Sequence, residues 1–430
     1  MNEESTLSEF VPEESDKQEQ KWEEVQLHEV AYKRSDNVDP QEVELEKHIG
    51  LEHIDPNDPV PDWESLDDLS STKRRFETGD ILFAKLRPNL EKSAQPDFEG
   101  VASTDIFPIV AESDVNSKWL LYRLSSKPAY DYARRTSAGT RMPRTSWNLF
   151  SNFNFLLPPL PEQRKIATVL YTVDQAIEKT EKMIEGTKQI QRGVEQHLFR
   201  EGYFDHDTIE QTRLVTIPGD WNFDQLSEHT KESAFGPRFG SERYDEDGEI
   251  ATLRTTDLDD NGHIDLDDMP VADLEYDEVE EHILKPGDFM ITRSGTTGIG
   301  TVWENHHKPT IPGAFLIRFR FKDSLNPNFM KYYVNSSLGR RRVNRRAKGG
   351  VQKNLAGSDL LNMRFPIPTE EEQEKIIEVL DTYQARIQHE KDYKSQLQAL
   401  KQGLMQDLLS GKVRTTNTNI EVPEEIAQHG

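Results

Sequence analysis

The side chains best equipped for chemistry in this sequence are basic and clustered. From Lys331 to Lys353 the chain carries Lys331, Arg340, Arg341, Arg342, Arg345, Arg346, Lys348 and Lys353, and no acid at all. An earlier segment, Lys118 to Trp147, carries Lys118, Arg123, Lys127, Arg134, Arg135, Arg141 and Arg144 against a single Asp131. Guanidinium forks match phosphate oxygens and the acceptor edge of guanine, and Tyr130, Tyr132, Tyr332 and Tyr333 lie close enough to pack or stack. Smaller sets complete each surface: Lys73, Arg74, Arg75, Lys85 and Arg87 before the first island, and Arg238, Arg254 and Arg293 before the second. The competing reading is a solvated, arginine-rich helix face. In a chain of formal net charge −26, two local positive islands at matching places favour contact with duplex DNA.

Signatures of catalysis are weaker. "LLSGKVR" at 408–414 has the Gly-Lys of a phosphate-binding loop without the loop, and "SGTTGIG" at 294–300 has the wrong glycine spacing for a dinucleotide site and reads as a strand-ending turn. "PDFEG" at 96–100 starts like a nuclease metal motif but lacks the following lysine. No His-Glu-x-x-His, Gly-x-Ser-x-Gly or Asn-Pro-Pro-Tyr occurs. The absence of cysteine excludes disulfides, thiolate catalysis and cysteine-ligated metal centres. "DLDDNGHIDLDD", Asp257 to Asp268, spaces Asp257, Asp259, Asn261, Gly262, Ile264 and Asp268 like a calcium loop, with Asp in place of the usual terminal Glu. Its flanks lack amphipathic helices, so a solvated β-turn is the better reading. The expectation is a chain with no catalytic centre, no metal and no cofactor of its own.

Net charge of this size, read naively, argues against a polyanionic partner. Diffuse Asp/Glu excess without low complexity instead resembles proteins of salt-loving microbes, where molar salt shortens screening to roughly 3 Å. Local clusters then say more than the total. No apolar run is long enough to span a membrane, and the N-terminus is acidic where a secretory leader is basic, so a cytoplasmic protein without a membrane partner is expected.

The elements that position the basic islands come in two copies. "LPPLPEQRKIATVL" at 157–170 reappears as "IPTEEEQEKIIEVL" at 367–380, and the register holds from Gly139 on Gly349 to Leu198 on Leu408. Upstream, Trp22 with Gln26-Leu27 matches Trp221 with Gln225-Leu226, and Gly79-Asp80 matches Gly287-Asp288 at a larger shift, so the second copy holds an insertion, placed within Glu242 to His282. Each repeated phrase opens a long helix. Apolar residues recur every three or four positions at Ile166, Leu170, Val173 and Ile177, and at Ile376, Leu380, Ile387, Leu397, Leu404 and Leu408. Rods of roughly 60 Å with one apolar stripe need a partner, and each is the obvious partner of the other. Around Glu390 and Lys394 the second stripe lapses. Short β-like runs alternate with helical stretches in the remainder, which makes the fold class α+β. The expected organisation is an acidic disordered tail at 1–20, a globular unit at 21–160, a helix at 161–202, a linker at 203–217, a second globular unit at 218–368, a helix at 369–411 and a disordered tail at 412–430.

Taken in order, "GLEHID" at 50–55, "GDILFAKLRPNL" at 79–90, "LPPLPEQRKIATVL", "GGVQKNLAGSDLLNMRFPIP" at 349–368 and "KQGLMQDLLSGKVR" at 401–414 resemble the specificity subunit of type I restriction-modification systems. The resemblance covers Trp22 to Arg414. It implies two target-recognition domains in tandem, separated by two long helices packed as an antiparallel coiled coil, each domain reading one half of a bipartite DNA target. It also implies that the helices dock two methyltransferase subunits, which bind S-adenosylmethionine and methylate adenine, and that restriction subunits can add ATP-driven translocation and cleavage. A pseudo-twofold chain presenting two equivalent docking faces suits duplex DNA. Contact residues do not carry over one by one, so the basic islands rest on charge and position. The alternative is a coiled-coil scaffold that touches no DNA. A metal-dependent enzyme near Asp257 is the third reading.

Overall fold

The computed structural model describes residues 21–428 except 57, 68, 213 and 348–353. The expected tail at 1–20, Lys348 and Lys353 therefore lie outside the described residues. The chain forms two compact units: the first joins residues up to Glu181 with those from Asp392 onward, and the second is the continuous segment Lys182–Lys391. The two long helices, Leu160–Glu201 and Glu370–Leu409, each contribute to both units.

Both units are built on the same sheet. In the first unit a four-stranded sheet runs in the order Ala31–Lys33, Ile106–Ala111, Ile81–Ala84, Ser93–Ala94; in the second the order is Thr230–Phe235, Leu316–Phe321, Phe289–Thr292, Gly300–Val302. Phe83 pairs with Phe107 as Ile291 pairs with Ile317, so even the register is repeated. Alternation decides what each strand faces. Ile81 and Phe83 enter a core with Trp119 and Leu121, while Leu82 enters a second core with Ile49 and Phe76. Phe289 and Ile291 likewise join Phe329 and Tyr333, while Met290 joins Leu253 and Trp303. Strands buried on both faces must be apolar throughout, and "ILFA" and "FMIT" are so apart from Thr292. A parallel pair flanks each sheet: Lys47–Ile49 with Gly100–Ala102, and Ile250–Leu253 with Thr310–Pro312. The expected α+β class is what the structure has.

The long helices begin after Pro158-Pro159 and Pro368-Thr369 and stop at Gly202 and Gly411, whose φ values of +84° and +73° are left-handed conformations that glycine enters without penalty. They run antiparallel. In the first unit Asp174 meets Lys401 at 2.5 Å and Glu181 meets Lys394; in the second, Glu372 at the head of one helix bonds Tyr203 and Phe204, just past the end of the other. Each unit's core takes the start of one helix and the end of the other. Ile166 and Leu170 pack with Leu404 and Leu408, and Ile376 and Leu380 with Val194 and Leu198. Ile387 and Leu397 are buried, whereas Val173 and Ile177 are half-buried. Where the stripe lapses, ion pairs replace it: Lys394 with Glu181, then buried Lys401 with Asp174, which also accepts the Tyr122 hydroxyl at 2.6 Å.

The sequence-based expectation of disorder after residue 411 does not hold for 412–428. Ile426 is fully buried in the first unit's core, and the Asn116 side chain donates to its carbonyl at 2.7 Å. Lys165 Nζ gathers the carbonyls of Thr415, Thr416 and Thr418. A polar sequence without periodicity is ordered here because backbone carbonyls and the isolated apolar anchor Ile426, not an apolar stripe, make the contacts. The segment expected as a linker, 203–217, is also structured: Ile209–Gln211 pairs with Thr216–Pro218, and Val215 and Ile217 are buried.

Both segments converge on a repeated glutamate. Glu162 accepts Trp22 Nε1 at 2.8 Å, Arg414 through Nε and Nη2, and the Thr415 backbone. Glu372 accepts Trp221 Nε1 at 2.7 Å, the Tyr203 and Phe204 backbones, and His206 Nε2. The neighbouring Gln163 and Gln373 accept the backbone N–H of Asn116 and Asn326. The repeated Trp, Glu and Gln are one clamp, built twice.

Candidate nucleic-acid interface

The first unit's candidate surface is a pair of loops. Strand Ile81–Ala84 runs into Lys85, whose N–H donates to the Asp105 carbonyl at 3.0 Å and whose carbonyl accepts from Thr145 N at 3.1 Å. Leu86 bridges Arg144, and Arg87 N–H donates to the Pro143 carbonyl at 2.8 Å. Arg87 is held at φ +48°, a left-handed conformation that costs a non-glycine residue about 1–2 kcal/mol. Its guanidinium is exposed, as is that of Arg141, and neither forms an ion pair among the described residues. Arg144 grips Asp105 with two bonds of 2.9 and 3.1 Å, which holds that carboxyl below its ordinary pKa. Lys85 lies 3.9 Å from the same carboxylate.

The second unit repeats this backbone. Arg293 N–H donates to the Phe315 carbonyl at 2.9 Å, the Arg293 carbonyl accepts from Leu355 N at 2.9 Å, and Ser294 bridges Asn354. Gly295, at φ +79°, stands where the first unit has Arg87. Arg293 lies over the Phe235 ring at 4.7 Å and donates to the Asn354 side chain.

The remaining sequence candidates divide by environment. Arg238, Arg341, Arg345 and Arg346 are exposed and form no ion pair among the described residues, though Arg341 Nε donates to the Ser337 carbonyl. Arg135 lies over the Tyr132 ring. Arg134 pairs with Asp131 and Glu91, Arg75 with Glu99 and Glu77, and Arg74 donates weakly to the Thr104 carbonyl. Three candidates are structural instead. Arg342 is buried, donates to the Tyr333 hydroxyl and the Arg364 carbonyl, and stacks over Phe223, Tyr333 and Phe365. Lys73 is buried and turned onto Ser71. Arg254 holds Asp257 in a bidentate pair and also donates to the Asp268 carbonyl. Arg340 leaves the island too: it lines a cleft of about 590 Å³ with Lys188, Arg192, Glu195 and Lys331. Burial there pushes the Glu195 carboxyl up to about 7, against the pull of Arg192 and Arg340.

The calcium-like segment is a β-turn. Leu258 bridges Ile264, Gly262 takes φ +76°, and the Asp259 carboxylate accepts two backbone N–H groups. Asp257, the first expected ligand, is buried and already neutralised by Arg254. Among the described residues, His48, His53 and Glu64 form a cluster with metal-like spacing. However, His53 Nδ1 already accepts the Gly50 N–H at 2.9 Å, which leaves the proton on the nitrogen facing Glu64. That arrangement serves hydrogen bonding and is a poor ligand set. Sequence reasoning missed Asp105, Phe235, Phe315 and Asn354; only the strand register places them beside Lys85 and Arg293.

The geometry thus defines a protein with two equivalent units, each offering one loop pair with a cation at its strand end, Lys85 or Arg293. A family model described as "Type I restriction modification DNA specificity domain" matches residues 19–185 and again 218–399, and the chain belongs to that family. It is 26% identical over 331 residues to the type I restriction enzyme MjaVIII specificity subunit of Methanocaldococcus jannaschii, covering 75% of this chain and 76% of that one. It is 32% identical over 100 residues to the EcoDI specificity subunit of Escherichia coli, 23% of this chain and 22% of that one. Among solved structures, a chain from work on complex assembly and conformational transition of the type I restriction-modification system aligns over 91% of this chain and 98% of its own, at TM-score 0.58 and 20% identity. The specificity subunit from M. genitalium aligns over 90% and 96%, at TM-score 0.51 and 13% identity. These structural likenesses concern the fold. Membership in the family makes the chain a DNA specificity subunit. Among the described residues no helix is long and apolar enough to cross a membrane.

Proposed function

We propose that each unit reads one half of a bipartite duplex target through its loop pair, and that the two long helices dock two methyltransferase subunits. The observation that carries this is the duplicated loop scaffold, with the same backbone bonds in both units, and in each unit exposed arginines that form no ion pair among the described residues. Phosphate contacts by Arg87, Arg141, Arg238, Arg341, Arg345 and Arg346 set position, and groove contacts by the loop residues set sequence. In this reading the chain is a non-catalytic, cytoplasmic subunit. S-adenosylmethionine binding and adenine methylation belong to the modification partners, and ATP-driven steps to restriction subunits where they join. The repeated apolar heads of the helices, Ile166 with Leu170 and Ile376 with Leu380, are committed to the cores, so docking falls to the helices' exposed faces.

Charge reversal of Arg341, Arg345 and Arg346 to Glu in the full complex tests the reading. Duplex binding and site methylation are expected to collapse while the melting temperature holds. Unchanged DNA binding favours the scaffold alternative.

A further inference from the structure

We infer that the two units read their half-sites by different chemistry from one shared scaffold: the second presents the aromatic faces of Phe315 and Phe235 to the bases, and the first presents a charged hydrogen-bonding set. This rests on the DNA reading proposed above. The duplicated chain carries its own substitution experiment. Asp105 and Phe315 hold the same place, each lending its carbonyl to the residue that ends the neighbouring strand, Lys85 or Arg293. Arg144 and Asn354 hold another, each bridging the next residue of that loop, Leu86 or Ser294. Arg87 and Gly295 hold a third, both left-handed. The backbone is constant, the cation that ends the strand is kept as Lys85 or Arg293, and the side chains at these three places have changed character.

In the first unit the three places form an ionic set. Asp105 orients Arg144 through two bonds, Lys85 borders the same carboxylate, and exposed Arg87 has no ion-pair partner among the described residues. Oriented guanidinium groups suit the acceptor edge of guanine. In the second unit the carboxylate is replaced by Phe315, which is 58% exposed, and Asn354 takes the place of Arg144. Phe235, 44% exposed, pairs opposite Ile317, two residues from Phe315, and its ring carries Arg293 at 4.7 Å. Phe315 is no stray core residue. The strand that begins beside it buries Leu316, Ile317 and Phe319 completely or nearly so, while Phe315 stands outside. Two exposed aromatic rings, one of them against Arg293 and the other on the residue whose carbonyl holds the Arg293 N–H, with exposed Arg238 three residues beyond Phe235, fit apolar contact with base faces or thymine methyl groups under a phosphate-binding rim.

The test is selection from a pool of randomised duplexes by the full chain in complex with its modification subunits. The wild-type complex is expected to enrich a bipartite sequence. Phe315→Ala and, independently, Phe235→Ala should reduce discrimination in one half by roughly tenfold and leave the other half intact; Arg144→Ala should do the reverse. Uracil in place of thymine in the affected half then separates methyl contact, where binding falls, from stacking, where it holds. If both aromatic variants leave discrimination unchanged, or weaken the two halves alike, the inference is wrong. A wild-type complex that enriches no sequence refutes the DNA reading itself.

Discussion

Truncating Glu372 to alanine should loosen the second unit by about 3–5 kcal/mol, the range for breaking a buried charged network by removing one partner. The carboxylate is 2% exposed as a side chain, and four donors converge on it. Trp221 Nε1 reaches Oε2 at 2.7 Å, while Tyr203 N, Phe204 N and His206 Nε2 reach Oε1 at 2.8, 3.3 and 2.9 Å. Alanine strands the buried indole and backbone donors, each worth about 1–3 kcal/mol when left unpaired, and leaves His206 with Asp220 alone. The assay is urea unfolding of the full chain followed by tryptophan fluorescence, with Trp221 kept and the other five tryptophans replaced by phenylalanine in both proteins compared. The exposed neighbour Glu371→Ala serves as control, expected within about 0.5 kcal/mol of wild type. Should Glu372→Ala unfold no earlier than the control, the clamp is not what joins 203–217 to the helix head, and the symmetry argument built on Glu162 and Glu372 fails.

The two clamps should respond to pH in opposite senses. Burial opposes the charge on His206, but Glu372 and Asp220 more than offset it and raise its pKa above 6.5; its contribution is full below the unfolded value and is lost as pH rises through the folded one. Burial likewise opposes the charge on Glu162, but Arg414, Trp22 and Thr415 hold its pKa below 4.5, so its contribution is present above the unfolded value and lost as pH falls through the folded one. Melting of wild type against His206→Gln from pH 5 to 9 should show a gap that narrows with rising pH; a constant gap would contradict the assignment. Lys401→Ala leaves the largely covered Asp174 carboxylate without its ammonium partner and should cost about 3–5 kcal/mol, read by chemical denaturation. Arg342→Ala should cost about 3 kcal/mol or more through lost charged hydrogen bonds, while Arg345→Glu with Arg346→Glu should leave stability unchanged and weaken duplex binding in a filter or anisotropy assay. If the acidic surface is an adaptation to salt, specific binding should persist toward molar salt; a steep loss with the protein still folded would sink that reading.

The cation islands were legible as composition, but their members were not separable by it. "RRRVNRR" reads as a uniform stripe, yet Arg342 turns into an aromatic box, Arg340 into a cleft, and Arg341, Arg345 and Arg346 out to solvent. Helical periodicity sorts faces, and on a helix as short as Ser337–Asn344 the packing of neighbours decides the rest. The polar stretch 412–428 carried no pattern because its order comes from Lys165, Glu162 and Asn116 at sequence distances no local rule can reach.

What the sequence alone determined is the duplication, the two long helices with their glycine stops, the α+β class and the location of the basic islands. Each follows from local chemistry or self-similarity: apolar spacing, left-handed glycine, repeated Trp, Glu and Gln. Only the tertiary structure decided that the first compact unit joins two distant parts of the chain, that the repeated glutamates clamp segments far from them in sequence, and that Asp105 and Phe315 occupy one position in two equivalent loops. Those facts depend on strand register and on antiparallel helix pairing. Both bring together residues far apart in the chain, and the free energy that selects them lies in the assembled core, where no stretch of chain carries it by itself.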